Sequence, residues 1–301
     1  MADISEAEKL FVKHSCSLGV RNDGRNTTDF RSIAVETDIF PHCNGSSRVS
    51  IGNSIDVVCG VKVVVTELSG KSDDMYINVT VELPPSASNN RLDEKRQQEV
   101  SSYISDSIKS AILQSCNQIL PGQLDIIPGK FCWTIHADIQ VLETDSACPI
   151  DPCSWAAYAA LRCTTIPGTE VFSGETGVAE DFDVTGDAAD ASAFDPGSRL
   201  PICITITKIQ AGCLLLDPSL EEEACAECTV TIAVCGDGVC CGIKKLGGAG
   251  SLSVAEITTC LQNAQLAAQS MFPQLDNICA VTKEEDAMHP DRPPVRVGLL
   301  A

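Results

Sequence analysis

The sequence predicts an α+β fold made of two pseudo-repeated halves, each a mixed β-sheet with packed helices. Residues 33–65 and 202–243 each contain several short apolar or alternating segments separated by turn residues, a pattern typical of β-sheets. Residues 97–119 and 254–271 place apolar side chains at helical spacing. Strands followed by a helix therefore occur in both parts of the chain, which predicts the two halves.

The boundary between the halves is predicted from a change in composition. Residues 168–198 are acidic and rich in Gly and Ala, and they contain few large apolar residues. Such a segment buries too little apolar surface to order itself, so we interpret it as a flexible insertion. The first half then covers residues 1–198 and the second half residues 199–301.

The first predicted sheet begins after the turn at Asp23-Gly24. Alternation of apolar and polar residues predicts a strand at 33–37, and Asn44-Gly45 supplies the next turn. Residues 47–52 form the second predicted strand. Residues 57–65 form a third, whose continuous apolar character predicts burial on both faces.

Two helices and a strand complete the first half. Residues 83–90 are predicted to form a loop, and residues 97–119 an amphipathic helix that ends before Pro121-Gly122. Alternation predicts a strand at 133–141. Residues 153–163 are predicted to form a helix of small residues that can pack closely against its neighbours.

The second half is predicted to contain four strands and a long helix. The strands are placed at residues 202–208, 213–216, 229–234 and 238–243. Ser253 and Glu256 form a capping-box pattern at the start of the helix. Its predicted core face consists of Val254, Ile257, Leu261, Ala264, Ala268 and Met271. The glycine-rich residues 247–251 lack the Lys-Ser/Thr ending of a phosphate-binding P-loop, so they predict a strand-to-helix turn.

Composition limits the class of protein. A chain of 301 residues with 44% hydrophobic residues is long enough to bury a full core. Its 17 cysteines, without a basic and apolar leader, predict a reducing compartment. No apolar run reaches the roughly 18 residues of a membrane span.

The chain is strongly acidic, with a formal net charge of −20. Proteins that bind nucleic acid unaided usually present a basic face, because neutralising phosphates supplies most of the non-specific affinity. No dense Lys/Arg cluster occurs here. If the chain acts on RNA, we expect neighbouring subunits to supply the positive charge.

Two motifs near the N-terminus resemble a known family. The first consists of Arg21, Asp23, Arg25, Asp29 and Arg31, and the second is G-S-S-R-V-S-I-G-N at residues 45–53. Together they resemble the RNase PH family, which comprises phosphorolytic 3′ exoribonucleases and the hexameric ring subunits of the RNA exosome. Four more stretches extend the resemblance over nearly the whole chain, at residues 5–9, 156–167, 216–223 and 244–252.

The resemblance implies an RNase PH-like fold and a place in a heteromeric ring. Within the family, the non-catalytic ring subunits fit best. The implied partners are other RNase PH-like ring subunits, cap subunits that carry S1 or KH domains, and RNA that passes through the assembled ring to a nuclease elsewhere. The implied location is the nucleus, including the nucleolus, and the cytoplasm. The implied role is support of 3′-to-5′ RNA processing and degradation, including rRNA maturation.

Two catalytic features of the active family members are expected to be missing. In those members a G-T-R or G-S-R turn before the central helix binds phosphate through backbone N–H groups and the arginine. The matching turn here is Cys148-Pro149-Ile150, which lacks one N–H group and the charge. Thr229 stands where the catalytic aspartate is expected, and a hydroxyl cannot replace a carboxylate as a metal ligand or general acid. We therefore expect no catalytic residues.

Other functions remain open from the sequence. The alternative is a phosphate-dependent 3′ exoribonuclease that has rebuilt its site from Asp217, Glu227 and Lys245. A free-standing RNA-binding module is a third possibility, which the acidic charge disfavours. The acidic stretch at Asp217 and Glu221–Glu223 is interpreted as structural, since negative side chains stabilise a helix N-terminus.

Few residues are candidates for ligand contact. Arg91, Arg96 and Lys109 are weak candidates for RNA binding, and the favoured interpretation is that they are solvated charges on a helix face. Cys225 and Cys228 lack a second C-x-x-C pair at suitable spacing, so no metal is expected. No cofactor is expected either.

Overall fold

The computed structural model shows two β-sheets with a helix between them. It describes residues 4–68, 76–85, 87, 94–117, 119–173, 179–185, 190–210, 212–288 and 297–299. The elements of the first half are α1 (Glu6–Ser17), β1 (Ile33–Thr37), β2 (Gly45–Ile51), β3 (Ile55–Glu67), β4 (Ile77–Glu82), α2 (Glu94–Cys116), α3 (Leu120–Leu124), β5 (Asp125–Ile127), β6 (Phe131–Glu143), α4 (Ile150–Cys163), β7 (Thr165–Ile166), β8 (Thr169–Ser173), β9 (Ala179–Val184) and β10 (Ser192–Ala193). Those of the second half are a short 3-10 helix (Gly197–Arg199), β11 (Pro201–Gln210), β12 (Cys213–Leu216), α5 (Leu220–Ala224), β13 (Cys228–Cys235), β14 (Cys240–Leu246), α6 (Val254–Met288) and β15 (Val297–Leu299).

The first sheet has the strand order β15-β1-β2-β3-β6-β4, with β5 paired to β6. Its pairs are antiparallel except for β4 with β6, which run in parallel. The prediction that residues 57–65 are buried on both faces is wrong, because burial alternates along β3 and Val64 is 44% exposed. One face of this sheet packs on the core, and the other is largely open at β3.

The second sheet is antiparallel, with the order β12-β11-β13-β14. Its strand β11 is buried on both faces, since α4 packs on one side and α6 packs against β11 and β13. All four predicted strands of the second half are present within one to three residues of the expected ends. The predicted α+β class, two sheets with packed helices, is confirmed.

Helix α4 lies between the sheets and contacts β2, β3 and β11. Its alanines are buried, as the small-residue pattern predicted. Gly45 allows the close approach, because a Cβ atom at this position would lie 2.5 Å from the carbonyl oxygen of Ala160. On the other side, the Ser154 hydroxyl accepts from the Cys203 N–H at 2.9 Å and the Trp155 indole donates to the Cys203 carbonyl at 3.1 Å. Helix α4 therefore joins the two halves.

Helix α6 begins with the predicted capping box, in which Ser253 and Glu256 exchange hydrogen bonds. The predicted core face is wrong at its start, because Val254 is 81% exposed and Ile257 is also exposed. The buried side of the helix begins at Cys260 and continues through Ala264 and Ala268.

Several elements were not predicted from the sequence. Helix α1 begins at a capping box formed by Ser5 and Glu8 and packs its buried Val12 and Cys16 near α5 and β11. Strand β4 and the three-residue strand β15 were also missed. Because β15 pairs with β1, the C-terminal end of the second half returns to the sheet of the first half.

The acidic segment at residues 168–198 contains a β-hairpin of β8 and β9, and β10 pairs with β7. Phe182 of the hairpin packs against Phe131, with ring centroids 5.1 Å apart. The flexibility of the segment and the domain boundary after residue 198 remain predictions. Within the described residues, no helix combines the length and apolar character needed to cross a membrane.

Candidate functional site

A cleft with a volume of about 470 Å³ lies where α2, the start of α4, the β11–β13 strand pair and the segment around Asp217 meet. Ile150 and Thr229, which stand at the two positions where the resemblance led us to expect catalytic features, both line it. The structure thus brings together the two positions that the sequence resemblance singled out. This cleft is the candidate functional site.

One wall of the cleft is held by the N-terminal arginine motif. Arg21 is buried and forms a bidentate ion pair with Glu222 of α5, at 2.6 and 2.9 Å. Its remaining N–H groups donate to backbone carbonyls, among them those of Leu216 at 3.1 Å and Asp217 at 2.8 Å. The first arginine of the motif therefore ties the N-terminal segment to the second half.

Asp217 is the common partner of the other two arginines. Its carboxylate accepts from Arg25 at 2.7 Å and from the Arg31 side chain at 2.7 to 3.2 Å. The backbone of Asp217 has φ 44°, a left-handed conformation that Asp tolerates better than most residues. Asp217, Glu222 and the arginines form one structural network, which supports the interpretation of the acidic stretch as structural.

Arg31 continues this network to the other wall. Each of its side-chain nitrogens has a partner, because Nε and Nη2 donate to Asp217 and Nη1 donates to Asp145 at 2.9 Å and to Ser54 at 3.0 Å. The paired carboxylates raise the pKa of Arg31 despite its burial. All three nitrogens of the guanidinium are thus engaged within the chain.

The opposite wall is the turn before α4, and a carboxylate of the same chain occupies it. Glu223 accepts from the N–H of Ala147 at 3.0 and 3.1 Å and from the Ser146 hydroxyl at 3.3 Å. Burial raises the pKa of Glu223, and the bonds to Ala147 and Ser146 oppose that shift. An internal anion therefore lies against this turn.

The other backbone N–H groups of the turn are also engaged. Ser146 donates to the Thr144 hydroxyl at 3.1 Å, Cys148 to the Ser146 hydroxyl at 3.2 Å, and Ile150 to the Cys148 carbonyl at 2.9 Å. Pro149 is the N-cap residue of α4 and has no N–H. From Ser146 to Ile150, the turn offers an external anion no unengaged N–H group.

Asp151 in the first turn of α4 fastens the helix to the second sheet. Its carboxylate accepts from the Thr205 N–H at 2.8 Å and from the Thr205 hydroxyl at 2.6 Å. Burial raises the pKa of Asp151 to about 7; the nearby Asp217 charge also raises it, whereas the Thr205 bonds lower it. This carboxyl group is fixed in place and titrates near neutral pH.

The floor of the cleft is a set of threonines on adjacent strands. Thr205 of β11 pairs with Thr231 of β13, and Thr207 pairs with Thr229. All four side chains line the cleft. Hydroxyl groups therefore occupy the place where the family resemblance led us to expect a carboxylate.

The residues of the alternative, rebuilt active site do not converge. Asp217 lines the cleft and is held by Arg25 and Arg31. Lys245 lies on the other face of β14, lines a separate cavity and donates to the Gly248 carbonyl at 3.2 Å. Glu227 is not among the described residues that line the cleft.

The glycine-rich turn after β14 has a structural explanation. Gly248 has φ 68°, and a Cβ atom there would lie 1.9 Å from the carbonyl oxygen of Glu227. Only glycine fits this conformation and this close approach. The expected strand-to-helix turn is confirmed.

The structure does not bring the three candidate RNA contacts together. Arg91 lies outside the described residues. Arg96 is exposed at the rim of the cleft, whereas Lys109 lies thirteen residues further along α2 and donates to Asn78 at 3.2 Å. A helical rise of 1.5 Å per residue separates them by about 20 Å, so they do not form one patch.

The role of Glu223 was missed from the sequence, although a signal for it exists. Successive residues on a helix point about 100° apart, so three glutamates in a row cannot share one partner. Glu221 contacts Asn22, Glu222 contacts Arg21, and Glu223 reaches the turn before α4. Among the described residues, no group of three or more His, Cys, Asp or Glu is arranged to hold a metal ion.

Comparison with protein families identifies both halves. The profile of the 3′ exoribonuclease family, domain 1, matches residues 29–167, and the profile of domain 2 matches residues 199–266. Together these matches cover more than half of the chain.

Individual relatives match over most of their length. The chain is 30% identical over 276 residues to the exosome complex component Rrp42 of Methanocella arvoryzae, which covers 91% of this chain and 98% of the relative. It is 27% identical over 241 residues to the exosome complex component rrp42 of Schizosaccharomyces pombe, covering 77% of each chain.

Solved structures share the fold. A chain of an archaeal exosome core superposes with a TM-score of 0.70 at 22% sequence identity, covering 90% of this chain and 97% of that chain. A chain of the Archaeoglobus fulgidus exosome with RNA bound to the active site gives a TM-score of 0.69 at 22% identity, covering 89% and 98%.

Proposed function

The chain belongs to the 3′ exoribonuclease (RNase PH) family, and from this premise we propose that it is a non-catalytic structural subunit of the core ring of an RNA exosome. Its relatives are exosome components named Rrp42, in keeping with the resemblance to ribosomal RNA-processing protein 42. In this role it supports 3′-to-5′ RNA processing and degradation, including rRNA maturation. A nuclease elsewhere in the complex performs the cleavage.

The position of Glu223 is the main observation that supports a non-catalytic role. Phosphorolysis requires inorganic phosphate beside the scissile bond, and a turn at a helix N-terminus binds phosphate through unengaged N–H groups. Here the Glu223 carboxylate accepts from Ala147, and the other N–H groups from Ser146 to Ile150 are bonded within the chain. A phosphate ion would have to displace an internal carboxylate and would meet no arginine on this turn.

The side chains at the expected catalytic positions support the same conclusion. Thr229 provides a hydroxyl instead of a carboxylate, and Ile150 is fully buried and apolar. At neutral pH, a hydroxyl does not act as a general acid for the departing 3′ oxygen. The site would need both a phosphate-binding group and an acid to catalyse phosphorolysis.

The proposed partners follow from the acidic character of the chain and from the family. With a net charge of −20, the chain is expected to contribute little to RNA affinity by itself. We propose that other RNase PH-like ring subunits and S1/KH cap subunits supply the basic surface of the RNA channel. Arg91, Arg96 and Lys109 are proposed as minor contacts of this chain with RNA. The family alone leads us to propose the nucleus, including the nucleolus, and the cytoplasm as its locations.

Affinity purification of the tagged chain from its native cells tests the ring role. We expect other RNase PH-like subunits to be recovered with it in one assembly of several subunits, identified by mass spectrometry and native mass. Recovery of the chain only as a monomer or a homo-oligomer would contradict the ring role.

A phosphorolysis assay tests the catalytic part separately. The purified chain is incubated with single-stranded RNA, inorganic phosphate and Mg²⁺, and we expect no release of nucleoside diphosphates. Phosphate-dependent release that disappears in Glu227→Gln would establish the rebuilt enzyme instead. The Glu221→Gln variant, changed at an exposed glutamate on α5, serves as the matched control.

A further inference from the structure

A second cavity, with a volume of about 300 Å³, lies between α2 and the second sheet. It adjoins the cleft at Thr231, the one described residue that lines both. Ala111 of α2 and a cross-strand row of Cys203, Ala233 and Gly242 line it. Because these side chains are small, the helix and the sheet leave a space between them.

The cavity contains one cation and no acidic side chain among the described residues that line it. Lys244 of β14 pairs with Thr231 of β13 and lies two residues from Gly242, so its side chain is on the same face of the sheet. No carboxylate of the described residues forms an ion pair with Lys244. Its positive charge therefore has no direct counter-charge in the described part of a chain whose net charge is −20.

The ammonium group of Lys244 retains N–H donors for a ligand, whereas the nearby serine hydroxyls do not. Lys244 donates to the Ser107 hydroxyl at 3.1 Å, and its Nζ atom lies 5.8 Å from the centre of the Tyr103 ring. An ammonium has three N–H groups, so at least one remains. Ser107 and Ser110 donate to the backbone carbonyls of Tyr103 and Ser107, at 2.6 and 3.1 Å. The site therefore suits a ligand group that is negatively charged and accepts hydrogen bonds.

We propose that this cavity binds a small carboxylic acid in its ionised form, with a hydrocarbon body of about four to six carbon atoms. The carboxylate would pair with the Lys244 ammonium, since such charge-assisted bonds are the strongest that the cavity offers. The hydrocarbon body would pack against Ala111, Ala233 and Gly242, which removes its apolar surface from water.

Other small ligands match the cavity less well. Inorganic phosphate or sulfate would pair with Lys244 but would leave the row of small residues unfilled. A neutral hydrocarbon would bury the ammonium without supplying an acceptor, which costs free energy. The proposal goes beyond the ring role and does not depend on it, because every residue that it uses belongs to this chain.

Ligand-observed saturation-transfer NMR on the full-length chain tests the proposal with isobutyrate and isovalerate as probes. We expect at least one of them to bind with a Kd of about 1 mM or tighter. Isobutyramide and isovaleramide have nearly the same shape without the charge, so they are expected to bind at least about tenfold more weakly. Inorganic phosphate at the same concentration should not displace the carboxylate. No carboxylate binding at millimolar concentration, equal binding of the amides, or displacement by phosphate would overturn the proposal.

A pair of adjacent lysines assigns the site. Lys244→Met keeps most of the side-chain length and removes the charge, so we expect the Kd for the carboxylate to rise at least about tenfold. The matched control is Lys245→Met, because Lys245 lies on the other face of β14, lines a separate cavity and donates to the Gly248 carbonyl at 3.2 Å. It should leave the Kd unchanged. Equal effects of the two substitutions would indicate general attraction to positive charge and would contradict the assignment.

A cavity-filling variant covers the case in which Lys244→Met does not fold. A Cβ atom at Gly242 would lie 3.7 Å from the Cβ atom of Ala233, an ordinary van der Waals distance, and valine favours β-strands. Gly242→Val is therefore expected to abolish carboxylate binding while the far-ultraviolet circular dichroism stays unchanged. Full binding by a folded Gly242→Val chain would place the ligand elsewhere and overturn the proposal.

Discussion

The two walls of the cleft hold buried carboxylates in different ways. On one wall, Glu222 and Asp217 meet the guanidinium groups of Arg21, Arg25 and Arg31. On the other wall, the next glutamate of the same short helix, Glu223, accepts hydrogen bonds from the N–H of Ala147 and the hydroxyl of Ser146.

The difference lies in the charge of the hydrogen-bond donors. Guanidinium groups neutralise a carboxylate, and here they connect the N-terminal segment to the second half. Uncharged N–H groups satisfy the hydrogen bonds of Glu223 without neutralising it, and burial raises its pKa. The ion pairs on the first side connect distant parts of the fold, and on the second side an internal carboxylate engages the turn before α4.

The largest expected effect comes from breaking the neutralised wall. Arg21→Met keeps the volume of the side chain but leaves Glu222 as a buried, unpaired carboxylate. We expect a loss of about 3–5 kcal/mol in the free energy of unfolding, measured by urea denaturation. Arg48→Met is the control, because Arg48 is 38% exposed in its pair with Asp56 and should lose about 1 kcal/mol or less. Equal losses of unfolding free energy in the two variants would contradict the interpretation that Arg21–Glu222 is a buried structural pair and Arg48–Asp56 a surface pair.

The second prediction concerns Asp151, whose hydrogen bonds, like those of Glu223, come from uncharged groups. Its pKa is raised from 3.8 to about 7, so the folded state binds the proton more tightly than the unfolded state does. Stability should therefore fall as the pH rises from about 4 to about 7, by at most about 4 kcal/mol at 1.4 kcal/mol for each pH unit.

Asp151→Asn removes this titration and can keep a hydrogen bond to Thr205. We expect the unfolding free energy of the variant to depend less steeply on pH in this range than that of the wild type. Glu223 contributes a decline of the same sign, because burial also raises its pKa. Identical pH profiles for the two proteins would show that Asp151 does not titrate as its burial implies.

The third prediction tests whether Glu223 replaces an external anion. Glu223→Ala leaves the Ala147 N–H without its acceptor, so we expect a loss of about 1–3 kcal/mol. Added inorganic phosphate should restore part of this loss in the variant, because an anion that binds only the folded state raises its stability. It should have no such effect on the wild type.

The matched control is Glu221→Ala, two residues away on α5. Glu221 is exposed and accepts from Asn22 at 3.0 Å, so the substitution should change stability by about 0.5 kcal/mol or less and create no response to phosphate. If phosphate stabilised the wild type and the Glu223 variant alike, this would contradict the interpretation that the Glu223 carboxylate occupies the turn before α4.

The smallest expected effect concerns the rim between the walls, where Arg96 is exposed. In the reconstituted ring, Arg96→Ala is expected to weaken binding of single-stranded RNA by about two- to threefold and to lower the salt dependence slightly. Lys62→Ala, at an exposed position of the first sheet, is the control and should not change RNA binding. An unchanged affinity in Arg96→Ala would indicate that Arg96 is a solvated charge on α2 and not an RNA contact.

The sequence predicted the helices and strands whose patterns depend on residues close together in the chain. The period of two in β1 and β13, the helical spacing in α2 and the capping box at Ser253 each depend on residues close together in the chain. It also indicated that the arginine motif matters and that Ile150 and Thr229 depart from the family pattern. It failed for Val254, whose apolar character predicted a core position but whose side chain is 81% exposed.

The sequence by itself therefore determined the α+β class, the family and most of the strands and helices, because periodicity and turn chemistry act over a few residues. Only the tertiary structure decided that Arg21 pairs with Glu222, 201 residues away, and that Glu223 reaches Ala147, 76 residues away. These contacts depend on how α4 packs between the two sheets. Short-range patterns specify which side chains are polar, but packing decides which of them meet. Packing therefore also decided that an internal carboxylate, that of Glu223, engages the turn before α4.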